Sequence, residues 1–158
     1  MRSGRRLAID VGKARIGIAI SDFHGILASP VSTLDRNQFD ANPSTLVSAI
    51  EDFESLLEIY VGLPLNMQGA ITASTEDAVA VARAIGELTS LAVLLVDERL
   101  TTSISNAQLK EVGKAQKQAR GSIDQMAAVA ILEYALQVER NSGLTPGVLV
   151  NDWSENNE

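Results

Sequence analysis

Asp10 closes a short apolar run, Leu7-Ala8-Ile9-Asp10-Val11, of a kind in which strands disfavour Asp. A carboxylate beside a core loses hydration energy unless it is paired or binds a cation. Asp97 and Glu98 stand directly after the most apolar run of the chain, Leu91-Ala92-Val93-Leu94-Leu95-Val96. Asp124 falls at the start of a long Ala/Ile/Leu-rich segment, with Ala127, Ala128 and Ile131 as its helical neighbours, so it belongs to the packing side of that helix. Carboxylates brought together from such distant segments repel one another. They are stable as a group when a hard divalent cation joins them, and oxygen-only donors suit Mg²⁺ or Mn²⁺. The chemistry such a group serves is metal-assisted phosphodiester hydrolysis, one ion activating water and a second stabilising the leaving oxygen. Each acid also has a plain structural reading. The helix dipole alone accounts for an Asp in a first helical turn. Asp97 or Glu98 could cap the next helix with Thr101 or Thr102, or pair with Arg99. His24, the single histidine, reads as a turn residue, and one histidine makes a Ser-His-Asp triad a poor candidate.

These residues need elements to position them. Leu7–Val11, Ile16–Ser21 and Ile26–Leu34 read as strands separated by the short turns Gly12-Lys13-Ala14 and Asp22-Phe23-His24-Gly25, hence an antiparallel meander, its third strand broken by Pro30. The rhythm then becomes helical. Asn42 and Pro43 start a helix whose face is Leu46, Ile50, Phe53 and Leu57. Glu58–Leu63 is a buried strand stopped by Pro64; Ala78, Ala82, Ile85 and Leu88 mark a helix; Leu91–Val96 is the next strand. Strand, helix, strand, helix, strand makes this part parallel. Thr101–Val112 is expected to be helical, residues 113–121 a polar connector, and Ser122-Ile123-Asp124-Gln125 a capping box opening the last long helix, which ends near Arg140. A meander followed by two parallel strands with packing helices is the ribonuclease-H-like topology: α/β, a five-stranded mixed sheet with strands 1–3 antiparallel and strands 4–5 parallel. The first and last of these strands run parallel, and ligands of open α/β sheets collect at the carboxyl ends of strands, so Asp10 and Asp97/Glu98 are expected at one edge. Residues 1–140 make the domain and 141–158 a tail, whose Val148-Leu149-Val150 patch would invite a partner if uncovered.

Composition bounds the function. The 158 residues are 46% hydrophobic and 21% charged, which fits one globular domain. No apolar run reaches the ~18 residues of a membrane-spanning helix. The absence of cysteine excludes disulfides, Cys-based zinc sites and a thiol nucleophile. The start, Met1-Arg2-Ser3-Gly4-Arg5-Arg6, lacks the apolar segment of a signal peptide, and cytoplasm is the expected compartment. The net charge of −7 argues against a nonspecific nucleic-acid coat, but the charge is unevenly spread. Five Lys/Arg precede residue 35 against Asp10 and Asp22, while residues 37–96 hold Arg83 against eight acids. A positive face is expected around Lys13, Arg15, Arg99, Lys114, Lys117 and Arg120, and a negative one around Glu51, Glu54, Glu58 and Glu76. The positive set would hold phosphates and so position a nucleic acid. Aromatics, at 4%, give little support for base stacking. The hairpin Asp10–Gly17 looks like a phosphate-binding turn, without a Walker A or Gly-x-Gly-x-x-Gly sequence.

Taken together, Ile9-Asp10-Val11-Gly12 with Arg15-Ile16-Gly17 and Ser21-Asp22, Val61-Gly62-Leu63-Pro64 with Gly69, Asp97-Glu98-Arg99-Leu100-Thr101-Thr102, and Ile123-Asp124 with Ala127-Ala128 and Ile131-Leu132 resemble the YqgF family. Its members are nucleases of pre-16S rRNA, also described as Holliday-junction-resolvase homologues of the RuvX type. The resemblance covers residue 6 to about 140. It implies a ribonuclease-H-like fold, a Mg²⁺- or Mn²⁺-dependent endonuclease acting in ribosomal RNA maturation, and Asp10, Glu98 and Asp124 as its catalytic, metal-holding acids. Some resolvase relatives carry an acid after the fourth strand; Gly62–Asn66 has none here, so the second acid must be Asp97 or Glu98. The expected partners are a ribosomal RNA precursor or branched DNA, with ribosomal particles as a further candidate and no membrane, for a monomer or homodimer. A non-catalytic ribosome-assembly module of the same fold predicts loss of the acids, and all three are present. A sugar-kinase or actin-like ATPase needs a second such hairpin and a second domain, for which this chain is too short.

Overall fold

The computed structural model of the chain describes residues 1–100 and 120–154. The elements are β1 (Arg5–Val11), β2 (Arg15–Ser21), β3 (Ala28–Asp35), α1 (Arg36–Ala41), α2 (Ser44–Ile50), β4 (Leu56–Leu63), α3 (Ala73–Leu88), β5 (Ala92–Asp97), a 3₁₀ turn (Glu98–Leu100), α4 (Arg120–Ser142), β6 (Val148–Leu149) and a second 3₁₀ turn (Val150–Asp152). The expected helix over 101–112 and nearly all of the connector lie outside the described residues.

The strands form one mixed sheet in the order β3-β2-β1-β4-β5-β6. β1 pairs antiparallel with β2 and β2 with β3, whereas β1–β4 and β4–β5 are parallel. This is the expected α/β architecture with one strand more than the five expected. The sixth is the apolar tail patch: Val148 and Leu149 pair antiparallel with Leu95 and Leu94, and Val150 is buried. The patch is therefore built into the sheet edge, with the side chains of Val148 and Leu149 still about half exposed.

Both sheet faces are covered, which explains why the central strands are almost uniformly apolar. Strand side chains alternate, so successive residues serve different cores. Leu7, Ile9, Ile16, Ile18, Ile59, Val61, Val93 and Leu95 pack with Leu46, Ile50, Val79, Ala82 and Ile85 of α2 and α3. Ala8, Ala19, Tyr60, Leu94 and Val96 pack with Ala128, Leu132, Ala135 and Leu136 of α4. The small residues beneath α4 let the long helix lie close on the meander.

Four local expectations shift. The helical face read through Phe53 and Leu57 stops at Ile50, and Leu57 belongs to β4. Ser55, at φ 61°, turns the chain through the left-handed region and starts the strand, so the helix-like spacing beyond Ile50 is coincidental. Residues 36–41 form an unexpected short helix, capped by the Asp35 carboxylate accepting from the Asn37 and Gln38 amides. Pro30 does not end the third strand: it sits on the sheet edge, opposite Ala19, where the register with β2 shifts. Finally, α4 is already helical at Arg120, so Ser122 lies inside the helix rather than at its cap.

The α4 face of the sheet changes character along its length. At the amino ends of β1 and β4, Arg6, Glu58 and Glu139 are almost fully buried. Glu139 of α4 accepts from Arg6 Nη2 at 2.7 Å and from the Arg2 backbone amide at 3.0 Å. The Arg2 guanidinium bridges Glu139 and Glu58, and the Tyr60 hydroxyl donates to Glu58 at 3.1 Å. Glu58, expected on a negative outer face, is thus an interior ion-pair residue. At the carboxyl ends of the same strands lies the second polar cluster.

Candidate active site

Asp10 shares the parity of Ala8 and therefore faces α4. It stands opposite Gly17 of β2. Glu98 continues the parity of Leu94 and Val96 just past the end of β5. The two carboxyl groups meet, and the Glu98 carboxyl donates a hydrogen bond to the Asp10 carboxylate. Burial, the Asp10 charge, this hydrogen bond and the Asp97 charge together push Glu98 up to about 8. Burial raises Asp10 as well; the bond from Glu98 opposes this, and the nearby Asp124 charge adds to it. Two carboxyls that share one proton are the signature of like charges confined together.

Asp97 and Glu98 are adjacent yet have opposite tasks. Asp97 accepts from the Arg99 backbone amide at 2.9 Å and from Arg99 Nη2 at 2.6 Å. Burial would raise its pKa, but the Arg99 bonds outweigh burial and hold it below the usual range. Asp97 thus fixes the 3₁₀ turn, and that turn delivers Glu98 to Asp10.

Two glycines make the cluster possible. A Cβ on Gly62 of β4 would overlap the Glu98 carboxylate and come within 2.6 Å of Ile131 Cδ1. A Cβ on Gly17 would overlap the Asp124 carbonyl oxygen. Gly62 opens the floor on which Glu98 lies, and Gly17 lets α4 approach with Asp124. Neither reads from the sequence as a site residue. The signal it carries there is a lone Gly inside an apolar strand, which marks a close approach.

Asp124 is in the second turn of α4, not the first, so the helix dipole explains it less well. Its neighbours Ala128 and Ile131 are buried, as the packing side requires. Its carboxylate is bound by Arg15 Nε at 2.6 Å. Among the described residues, no three Asp, Glu or His side chains form a group able to hold a metal ion as they stand. Asp10 and Glu98 are joined, whereas Asp124 lies close enough to act on Asp10 electrostatically but is engaged by Arg15.

Of the expected phosphate-binding residues, Arg15 and Arg99 both lie at this edge, each carrying an ion pair. Lys13, in the β1–β2 turn, sits near Asp77. Lys114 and Lys117 fall outside the described residues, as does the side chain of Arg120. One unforeseen cation is structural: Arg36 grips Asp77 of α3 with two bonds of 2.8 and 2.6 Å and donates to the Gly12 carbonyl at 3.0 Å, tying the β1–β2 hairpin to α3. His24 stacks edge-on against Phe23 in its turn, as a turn residue would.

The Glu98 proton has a measurable consequence. The unfolded chain loses it near the ordinary value of 4.5, and the folded chain keeps it to about 8. Between those values folding takes up a proton, so the stability of the metal-free protein should fall as pH rises. Urea unfolding at pH 5.5 and 8.5 should show this decline, and Glu98→Gln should flatten it. An unchanged slope in the variant would show that Glu98 does not hold the proton.

The six-stranded order, with β1 between the antiparallel meander and the parallel strands and α4 crossing the sheet, defines a ribonuclease-H-like protein. A family model described as RuvX, Holliday junction resolvase, matches residues 4–138, and the chain belongs to that family. Curated relatives agree over nearly the whole length. A protein of Clavibacter michiganensis subsp. michiganensis is 45% identical over 95% of this chain and 93% of its own. One of Leifsonia xyli subsp. xyli is 46% identical over 93% and 94%. One of Streptomyces coelicolor is 43% identical over 93% and 88%. All three bear the name "Putative pre-16S rRNA nuclease".

Proposed function

We propose that this protein is a metal-dependent endonuclease that hydrolyses phosphodiester bonds of structured RNA and matures the 5′ end of pre-16S ribosomal RNA. The observation that carries the proposal is the meeting of the Asp10 and Glu98 carboxyl groups, with Asp124 brought in against Gly17, at the carboxyl edge of the sheet. The names of the relatives supply the substrate.

The donor set fits a hard divalent cation, Mg²⁺ or Mn²⁺. It offers carboxylate oxygens only, and a cation would replace the proton that now reconciles Asp10 with Glu98. Asp10, Glu98 and Asp124 would hold the ions; bound there, they supply the Lewis acidity of two-metal phosphodiester hydrolysis. The remaining tasks fall to the chain itself. Gly62 and the Asp97–Arg99 turn keep Glu98 at Asp10. Arg15, Arg99 and Lys13 bind backbone phosphates and set the strand across the acids, with Lys114, Lys117 and Arg120 extending the track. The work belongs in the cytoplasm, and no helix among the described residues is long and apolar enough to cross a membrane.

The family description favours a second substrate, a four-way DNA junction. A cleavage assay in Mn²⁺ with an rRNA precursor and a four-way junction side by side separates the two. The precursor should be cut at its 5′ flank and the junction left intact or cut far more slowly. Exclusive cutting of the junction would replace the RNA reading with the resolvase one. Binding of the precursor should weaken with salt, and removing Arg99 should lower the log–log slope by about one.

A further inference from the structure

We infer that Arg15 is a phosphate-released latch: its guanidinium keeps Asp124 out of the metal-holding group, and a nucleic-acid phosphate frees it. Metal and nucleic acid then bind cooperatively. This rests on the reading of Asp10, Glu98 and Asp124 as the metal ligands.

Three arginines hold their acids in different ways. Arg36 clamps Asp77 with both terminal nitrogens, and Arg99 holds Asp97 through Nε and Nη2. Arg15 touches Asp124 through Nε alone, at 2.6 Å, and among the described residues its terminal nitrogens have no partner. Its side chain is 39% exposed and that of Asp124 23%. One edge of the Arg15 fork is therefore spent on Asp124, and the other has no partner among the described residues. A phosphate can take that second edge bidentately, a geometry guanidinium favours.

Asp124 in turn has little freedom except in its side chain. Its carbonyl lies against Gly17, where even a methyl group would overlap it. The backbone is fixed, and the carboxylate either meets Arg15 or turns to Asp10, which stands opposite Gly17 in the sheet. In the first state the acids fall short of a three-ligand group. The Arg15 charge also opposes a cation nearby. A phosphate on Arg15 removes both obstacles at once: it competes for the guanidinium and neutralises it. By linkage, whatever factor nucleic acid adds to metal affinity, metal adds to nucleic-acid affinity. A nuclease so built stays poorly charged with metal until a strand is in place. Arg15 is on this view a positioning residue acting through Asp124.

Mn²⁺ binding, followed by the electron paramagnetic resonance of the free ion, tests this without any cleavage. Four full-length proteins are titrated: wild type, Arg15→Gln, Asp124→Asn and the double variant, each checked for folding by its melt. Arg15→Gln should bind Mn²⁺ about tenfold more tightly than wild type in the absence of nucleic acid, a coupling of ordinary size. The same change in the Asp124→Asn background should gain less than twofold, because nothing remains to be released. Adding a short phosphodiester oligonucleotide should tighten Mn²⁺ in wild type and do so much less in Arg15→Gln. An equal gain in both backgrounds would reduce Arg15 to a background charge, and no gain in either would remove the latch. Should Asp124→Asn leave Mn²⁺ affinity unchanged even with the oligonucleotide bound, when Asp124 is released, the ligand assignment itself fails, a result distinct from failure of the latch alone.

Discussion

Asp10→Asn is expected to abolish metal-dependent cleavage while leaving the metal-free protein as stable as wild type or more so. The amide keeps the shape of the carboxylate, so packing under α4 is retained. It is a poorer ligand for a hard cation and brings no charge to hold one. In the metal-free protein Asp10 is half-buried beside Glu98 and within the field of Asp124, and both desolvation and Asp124 work against its ionised form. Removing that charge relieves a strain that active sites commonly carry. In the rival reading Asp10 is a structural acceptor, bonded to a turn or to Arg15, so that its loss costs ~1–3 kcal/mol. Arg15 binds Asp124 instead, and among the described residues Asp10 accepts only from Glu98. Thermal melts without metal, run beside the cleavage assay, decide the matter. A variant that melts lower and still cuts would make Asp10 structural.

The opposite end of the same helix face predicts the opposite phenotype. Glu139→Ala should lose ~3–5 kcal/mol of stability, the usual cost of stripping one partner from a buried ion pair. In a domain of this size that lowers the melting temperature by on the order of 10 °C. Arg6 is fully buried and its Nε has no hydrogen-bond partner among the described residues. Without Glu139 its guanidinium retains, among the described residues, only the carbonyls of Gly4 and Arg2, at 2.8 Å each. Arg2 loses one of its two acids. The acids of the candidate site lie at the other end of the strands, so cleavage per folded molecule should persist well below the melt. The double variant Arg6→Met/Glu139→Leu, which removes both charges, should be more stable than Glu139→Ala. If Glu139→Ala melts like wild type, the network contributes nothing to folding.

How far these features can be read from the sequence depends on the distance over which their causes act. The meander is legible because Gly12-Lys13-Ala14 and Asp22–Gly25 are short turns between apolar runs, and short turns dictate antiparallel pairing. Asp10 is legible because an acid in such a run is costly. The choice between Asp97 and Glu98 is not, since neighbouring residues at a strand end point to opposite faces. Extending the alternation of Leu94 and Val96 by one step selects Glu98, but only if the alternation survives the strand end, and it is the Arg99–Asp97 bonds that preserve it. Gly17 and Gly62 are invisible as site residues because the groups they accommodate, Asp124 and Glu98, arrive from far along the chain. The Arg6–Glu139 pair spans 133 positions, so Glu58 and Glu139 read as ordinary surface acids. Helix α1 offers only Phe39 as a buried residue, too little for a periodic signal. The tail becomes a strand because β5 leaves an edge that Val148 and Leu149 can pair.

If Asp10, Glu98 and Asp124 act together as the metal-holding acids of a nuclease, none of them can be spared. Single-turnover cleavage of a pre-16S rRNA fragment by wild type and Glu98→Gln, each with Mn²⁺ and with excess chelator, tests this most directly. Wild type should cut only with Mn²⁺, and Glu98→Gln should not cut in either condition although it folds and binds the RNA. Cleavage by Glu98→Gln at the wild-type rate, or by wild type in chelator, would contradict the assignment.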